Sequence, residues 1–157
     1  MMDEEFDQQR DLLLERLIAA SPEALYRCWT EPALLMRWFA PMPWRTLSAE
    51  LDLRVGGASL VVMGGPNGEK IPCPGVYLAL EPGRRIVSTD AYVRPWLPSA
   101  RPFMTLILSF TPEGEGTRYR AWVRHWSEAD RQEHEAMGFH SGWGLCTDQL
   151  AELAATL

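Results

Sequence analysis

Three histidines carry the most direct chemistry in the sequence. His125, His134 and His140 lie close together, with Glu133 and Glu135 among them, and imidazoles with carboxylates are the groups that hold a zinc ion or move a proton near neutral pH. Their spacing argues against a shared ion. On a helix advancing about 100° per residue, side chains six positions apart diverge by roughly 120°, so His134 and His140 point away from one another, and no HExxH pattern is present. No metal is expected. His140 instead falls in a stripe of Ala136, His140, Trp143, Thr147, Leu150 and Ala154, which recurs at alternating spacings of four and three down one helix face. A polar group on a core-facing stripe needs a partner or a ligand. His140 and Thr147 are therefore candidate hydrogen-bonding groups in a cavity wall, with Phe139 and Trp143 as apolar lining beside them. The plainer alternative is a histidine bonded to a nearby backbone carbonyl.

A second constellation lies just upstream. Arg118, Arg120 and Arg124 alternate with Tyr119, Ala121, Val123 and His125, and the period of two sends the first set to solvent and the second to the core. Trp122 and Trp126 share the arginine face, which superficially suits stacking on nucleic acid. Pairing of the arginines with Glu50, Asp52, Glu113 or Glu115 on a solvated face is the simpler reading. Tyr119 and His125 then point inward. Nucleophilic catalysis has no support: there is no GxSxG elbow, and Cys28 and Cys146 sit on helical segments among apolar neighbours, where cysteine behaves as a small hydrophobe. The glycines Gly64, Gly65 and Gly68 are not followed by the Lys-Ser or Lys-Thr of a phosphate loop. No cofactor is expected.

The elements that position these side chains are set by local pattern. Asp11 to Ala20 is read as a strand because it stops at Ser21-Pro22-Glu23, where Ser21 as N-cap and Pro22 at the first position start a helix running to about Thr30. Glu31-Pro32 begins a second short helix through Leu34, Leu35, Trp38 and Phe39, which Pro41 and Pro43 end. Leu47 to Val55 alternates as a half-buried strand, and Ala58 to Met63 forms the next strand of a hairpin, with Asn67-Gly68 supplying turn chemistry. Further strands are expected at Gly75 to Glu81, Arg85 to Tyr92, Phe103 to Thr111 and Thr117 to Trp126. Between them, Val93 to Pro102 reads as a proline-rich loop whose Trp96 serves a homodimer contact or a cavity lid. Ser127, with Asp130 three residues on, caps one long C-terminal helix. Gly138 and Gly142 share a face of that helix and suit close approach of another backbone, with a kink as the alternative.

Composition bounds the function. The chain has 157 residues, 46% of them apolar, and a formal net charge of −6. That length suits one domain with its own core, here residues 11–157 after a polar N-terminal extension of residues 1–10. An acidic balance argues against a nucleic-acid partner. No apolar run approaches the roughly 18 residues of a membrane span, and the N-terminus lacks the order of a signal peptide. Three cysteines, Cys28, Cys73 and Cys146, form no disulfide framework. The expected setting is cytoplasmic.

Three pieces carry a family resemblance: Leu51-Asp52-Leu53-Arg54-Val55-Gly56-Gly57, Gly75-Val76-Tyr77 through Val87-Ser88-Thr89, and Met137-Gly138-Phe139-His140-Ser141-Gly142-Trp143 running to Asp148-Gln149-Leu150. In order and spacing the chain from about Asp11 to Leu157 resembles the activator of heat-shock protein 90 ATPase homologue family, within the START-like superfamily that also holds polyketide cyclases and lipid-transfer domains. The resemblance implies an α+β helix-grip fold, in which a curved antiparallel sheet wraps a long C-terminal helix and leaves a cavity between them. Members bind ligands, cyclise substrates or act as cochaperones, so the fold does not choose an activity. The reading is a small, largely apolar ligand in that cavity, walled by Trp38, Phe39, Tyr119, His125, Phe139, His140, Trp143 and Thr147. A chaperone partner comes second, since the resemblance covers only the domain that names the family. A cyclase-like or hydrolytic enzyme comes third; His140 or His125 would then be its general acid or base, but no catalytic pair stands out.

Overall fold

The computed structural model describes residues 5–157. In chain order its elements are β1 (Asp11–Ile18), α1 (Pro22–Thr30), α2 (Pro32–Leu35), β2 (Arg45–Leu51), β3 (Ala58–Gly64), β4 (Lys70–Glu81), β5 (Arg85–Thr89), β6 (Tyr92–Arg94), β7 (Leu97–Pro98), β8 (Met104–Glu113), β9 (Gly116–His125), α3 (Glu128–Ala136) and α4 (Phe139–Ala154). Seven strands form one sheet in the order β1-β9-β8-β5-β4-β3-β2, with antiparallel pairing throughout, and β6 and β7 form a separate small hairpin. β1 and β2 end on opposite edges because the chain between them crosses the sheet as α1 and α2. This is the α+β helix-grip arrangement.

Local chemistry explains the crossing. Ser21 Oγ accepts the Ala24 N–H at 3.1 Å, and Pro22 supplies the first helical position. α1 stops at Glu31 because a residue before proline is pushed out of the helical region, and Glu31 is extended. α2 is shorter than the sequence suggests: it ends at Leu35, and Trp38 and Phe39 lie in the turn beyond it.

The strands differ from expectation at their ends. Leu53 and Val55 are exposed, since Asp52 to Gly57 folds back in a turn closed by Arg54 N–H to the Asp52 carbonyl and Gly57 N–H to the Arg54 carbonyl. β4 begins at Lys70 and passes through Pro72 and Pro74. Those prolines pair opposite Val62 and Leu60 in the stretch of β4 that β5 does not flank, so β4 has no ladder partner on its other side there. β9 keeps its alternation: Tyr119, Ala121, Val123 and His125 are buried. Its arginines are met from β1 rather than from β2: Arg118 and Arg120 pair with Glu15, Arg124 with Asp11, and Glu113 also pairs with Arg118. Trp122 is covered by the Phe6 ring at 6.3 Å and the Arg124 guanidinium at 4.9 Å.

The C-terminal helical segment is two helices rather than one. Ser127 does cap the first, its Oγ accepting the Asp130 N–H at 3.1 Å, but Gly138 at φ 95° breaks the helix before Phe139. The break puts exposed Ala136 on α3, apart from the rest of the expected stripe; His140 shares α4 with Thr147, Leu150 and Ala154 but sits in its first turn and is exposed, while those three are buried. Close packing of a backbone on Gly142 is not observed: a Cβ there would meet nothing within 4 Å. The two glycines should thus respond oppositely to alanine. Gly138→Ala is expected to lose about 1 to 2 kcal/mol at a positive φ, and Gly142→Ala to gain about 1 kcal/mol in a helix interior. Chemical denaturation of both variants checks the pair; equal signs would contradict it.

α4 is anchored to the turn after α2. Gln149 Nε2 donates to the Trp38 and Ala40 carbonyls at 2.9 and 2.8 Å, and the Cys146 thiol reaches the Phe39 carbonyl at 3.2 Å. Arg16 of β1 pairs with Asp148 at 2.8 Å. The core lies between this helical layer and the concave face of the sheet, with Leu25, Cys28, Leu108, Tyr119, Ala121, Val123, Phe139 and Leu150 at most 1% exposed. No helix among the described residues is long and apolar enough to cross a membrane.

Candidate functional site

The sheet's alternation builds a half-enclosed cavity of about 110 Å³ on its concave face. Mainly alternate residues of four neighbouring strands line it: Ser59 and Val61 of β3, Cys73, Gly75 and Tyr77 of β4, Ile86 and Ser88 of β5 with Asp90 just beyond, and Met104, Leu106 and Leu108 of β8, with Pro74 and Thr89 between them. Trp29 of α1, Leu35 of α2 and Phe39 close it from above. The cavity therefore lies between the sheet and the short N-terminal helices. No residue of α4 lines it, which corrects the expectation of a cavity against the C-terminal helix. The reason is the anchoring of α4 beside α1 and β1, where its apolar face packs into the core.

The eight residues expected to wall the cavity separate accordingly. Phe39 lines it. Trp38 stands behind, in the core: its Nε1–H donates to the Cys28 carbonyl at 2.9 Å, and its ring meets Trp29 edge-on at 4.6 Å. Tyr119 is also core, its hydroxyl accepting the Trp29 Nε1–H at 3.2 Å, and burial pushes its pKa up. Thr147 is satisfied within its own helix, donating to the Trp143 carbonyl at 2.7 Å, so it holds no hydrogen bond open for a guest. His140 is not a wall at all. Its side chain is 61% exposed and its Nε2 lies 3.2 Å from the Glu135 carboxylate.

His125, Phe139 and Trp143 meet elsewhere, around a buried pair that sequence reasoning did not anticipate. His125 Nε2 lies 2.8 Å from His134 Nδ1, and His125 Nδ1 lies 2.8 Å from the Arg10 carbonyl. A carbonyl only accepts, so His125 carries a proton on Nδ1; with that ring neutral, its Nε2 accepts the His134 Nδ1–H. Phe103 and Phe139 pack against His134 at 5.1 Å each, and Trp143 at 6.1 Å. Burial, reinforced by the neighbouring His125, pushes the His134 pKa down to about 4. Among the described residues no group of three His, Cys, Asp or Glu side chains converges around this pair or elsewhere as a metal site.

Asp90 is the carboxylate of the cavity, absent from the expected site residues. Its Oδ1 accepts the Phe103 and Met104 N–H groups at 2.8 and 3.0 Å. Burial raises its pKa, and those amides together with His125 act against the rise. The signal was in the sequence: Ile86, Ser88 and Asp90 are two apart and share a face. Cys73 beside it is no activated nucleophile, since burial first and Asp90 second raise its pKa. Cys28 and Cys146 are likewise pushed up to about 11 by burial. A thiolate is the reactive form of cysteine, so none of the three is poised for attack.

At one edge the cavity shares Leu51, Ser59 and Pro74 with a shallow, open groove that also carries Glu50, Asp52 and Val93. Val93 belongs to the β6-β7 hairpin, whose tip places Trp96 at 93% exposure and a φ of 67°.

Comparison with known proteins gives consistent results. The family profile described as Activator of Hsp90 ATPase homolog 1-like protein matches residues 19–155. A crystal structure of a protein from Nitrosomonas europaea is 39% identical, with a TM-score of 0.91 over 94% of this chain and 96% of that one. A protein from Rhodobacter sphaeroides is 23% identical, with a TM-score of 0.83 over 96% and 95% of the two chains. An AHSA1-like protein from Aeromonas hydrophila is 20% identical, with a TM-score of 0.70 over 93% and 92%. No curated protein matches the chain.

Proposed function

This chain belongs to the Activator of Hsp90 ATPase homolog 1-like family, and on that premise we propose that it binds a small, largely apolar molecule in the cavity under Trp29, Leu35 and Phe39. The observation that carries the reading is the cavity itself: a half-enclosed space lined mainly by apolar groups with a few polar ones among them. Its size limits the guest. Drug-sized sites run to about 300 Å³ or more, whereas an apolar cavity of about 150 Å³ holds benzene. A volume of about 110 Å³ thus suits a molecule of a few heavy atoms, or one larger group inserted from the open groove.

The indole N–H of Trp29 is the natural reporter, because its ring lines the cavity and its proton is held by Tyr119. Titration with isobutanol is expected to move the Trp29 indole resonance in a saturable way while leaving exposed Trp96 and Trp126 in place. Ser59→Phe, which fills the cavity from β3, should reduce that shift at least about tenfold. A shift shared equally by Trp96 and Trp126, or one untouched by Ser59→Phe, would count against the reading.

A further inference from the structure

The cavity is chemically graded along its length. Strand register places Ile86 opposite Leu108, at one end, and Ser88 opposite Leu106 in the middle. At the other end Asp90 lies beside Met104, whose carbonyl accepts the Asp90 N–H at 3.2 Å. Cys73 and Ser59 come to the same end from β4 and β3. A carboxylate withdrawn from bulk water needs a compensating partner, and a cation is the strongest one.

No cationic side chain among the described residues hydrogen-bonds to Asp90. The hydrogen bonds to the Asp90 carboxylate come from the backbone, those of Phe103 and Met104 both falling on Oδ1. Among the described residues no lysine or arginine forms a salt bridge with it, and the ring nitrogens of nearby His125 are hydrogen-bonded to Arg10 and His134 rather than to Asp90. The approach is acidic as well: Glu50 and Asp52 border the groove at the cavity edge, Asp52 being paired with Arg54 at 2.8 Å. On a chain of net charge −6 the field at this entrance favours a cation over an anion.

We propose that the cavity selects a small ligand with an apolar body and a primary ammonium group, the ammonium meeting Asp90 and the body lying against Ile86, Leu106 and Leu108. The proposal rests on the reading that the cavity holds a small molecule, and it adds the class of that molecule. Selection is noncovalent: one charge-assisted hydrogen bond forms at the Asp90 carboxylate, and no bond in the ligand breaks.

Three probes of one shape and different charge separate the possibilities at neutral pH: isobutylamine, isobutanol and isobutyrate. The backbone amides of Phe103 and Met104 report on Asp90 directly, and the Trp29 indole reports on the apolar end. Isobutylamine is expected to bind at least about tenfold more tightly than isobutanol, with isobutyrate weakest, and to move the Phe103 and Met104 amides. In Asp90→Asn the side-chain oxygen can still accept both amides, so the fold around it should hold while the preference for the amine over the alcohol disappears. Equal or tighter binding of isobutanol in the unmodified protein overturns the proposal and leaves the small-molecule reading in place. Silence from all three probes removes both. Should Asp90→Asn fail to fold, the amine-to-alcohol ratio of the unmodified protein decides alone.

Discussion

Trp38→Ala is expected to lower the unfolding free energy by about 3 to 5 kcal/mol, the usual loss for truncating a buried large aromatic. Trp38 is 3% exposed, packs edge-on against Trp29 and Phe39, and donates its indole N–H to the Cys28 carbonyl. Alanine removes the ring contacts and that donor together. Set against the roughly 5 to 15 kcal/mol that separates a typical folded domain from its unfolded chain, the loss would leave a marginal protein. Phe39→Ala should behave differently. Phe39 is half-buried and faces the cavity, so its truncation widens the space above the sheet and should weaken isobutanol binding at a smaller cost in stability. Urea unfolding of both variants, read beside the Trp29 titration, distinguishes a structural tryptophan from a wall residue. If Trp38→Ala keeps full stability and loses binding, the assignment of the two residues is reversed.

Acid should destabilise the protein through His134. Its pKa is about 4 in the fold, held down by burial and by His125, against 6.5 for an ordinary histidine. Above pH 6.5 both folded and unfolded states carry it neutral, and its contribution is fully present. Between pH 6.5 and about 4 the unfolded chain takes up a proton that the folded one refuses, so stability falls as pH falls, by up to about 1.4 kcal/mol per pH unit. The full span comes to about 3 kcal/mol, levelling off below pH 4. Geometry gives the same direction. His134 Nδ1 already donates to His125, and the added proton would go to a nitrogen among Phe103, Phe139 and Trp143. His134→Asn preserves a nitrogen donor near the Nδ1 position and cannot titrate in this range. Denaturant midpoints from pH 7 to 5 should fall steeply for the unmodified protein and much less for the variant. An unchanged slope in His134→Asn would remove His134 as the cause.

The distribution of the tryptophans illustrates how far local pattern reaches. Alternation along β9 correctly separates buried Tyr119 and His125 from Trp122 and Trp126 on the other face, because a strand's side-chain period is set by backbone stereochemistry alone. What alternation omits is the cover. Phe6 and Arg124 shield Trp122, leaving its indole nitrogen buried without a partner among the described residues, while Trp126 is 54% exposed. The helical stripe through His140 fails for a related reason. One glycine in the left-handed region splits the segment, so Ala136 falls on a different helix and His140 is left in the first turn of α4, where it reaches solvent beside Glu135 although Thr147 two turns on is buried. Gly138 itself offered the clue, since glycine is the residue that adopts this conformation without strain.

Caps, turns and periods were thus within reach of the sequence by itself: the Ser21-Pro22 helix start, the halt before Pro32, the antiparallel strands, the inward face of β9 and the α+β helix-grip class. All but the last depend on residues within a few positions of one another; the class came from the family resemblance. Three features belong to the tertiary structure. Helix α4 settles beside α1 and β1, which moves the cavity under Trp29 and Phe39; His125 and His134 meet across a strand and a helix at 2.8 Å; and Asp90 comes to the end of the cavity with no cationic side chain of the described residues hydrogen-bonded to it. They depend on where whole elements land against each other, a balance of burial and hydrogen bonding summed over distant segments; a local period gives the face Asp90 shares with Ile86 and Ser88, but not what that face meets.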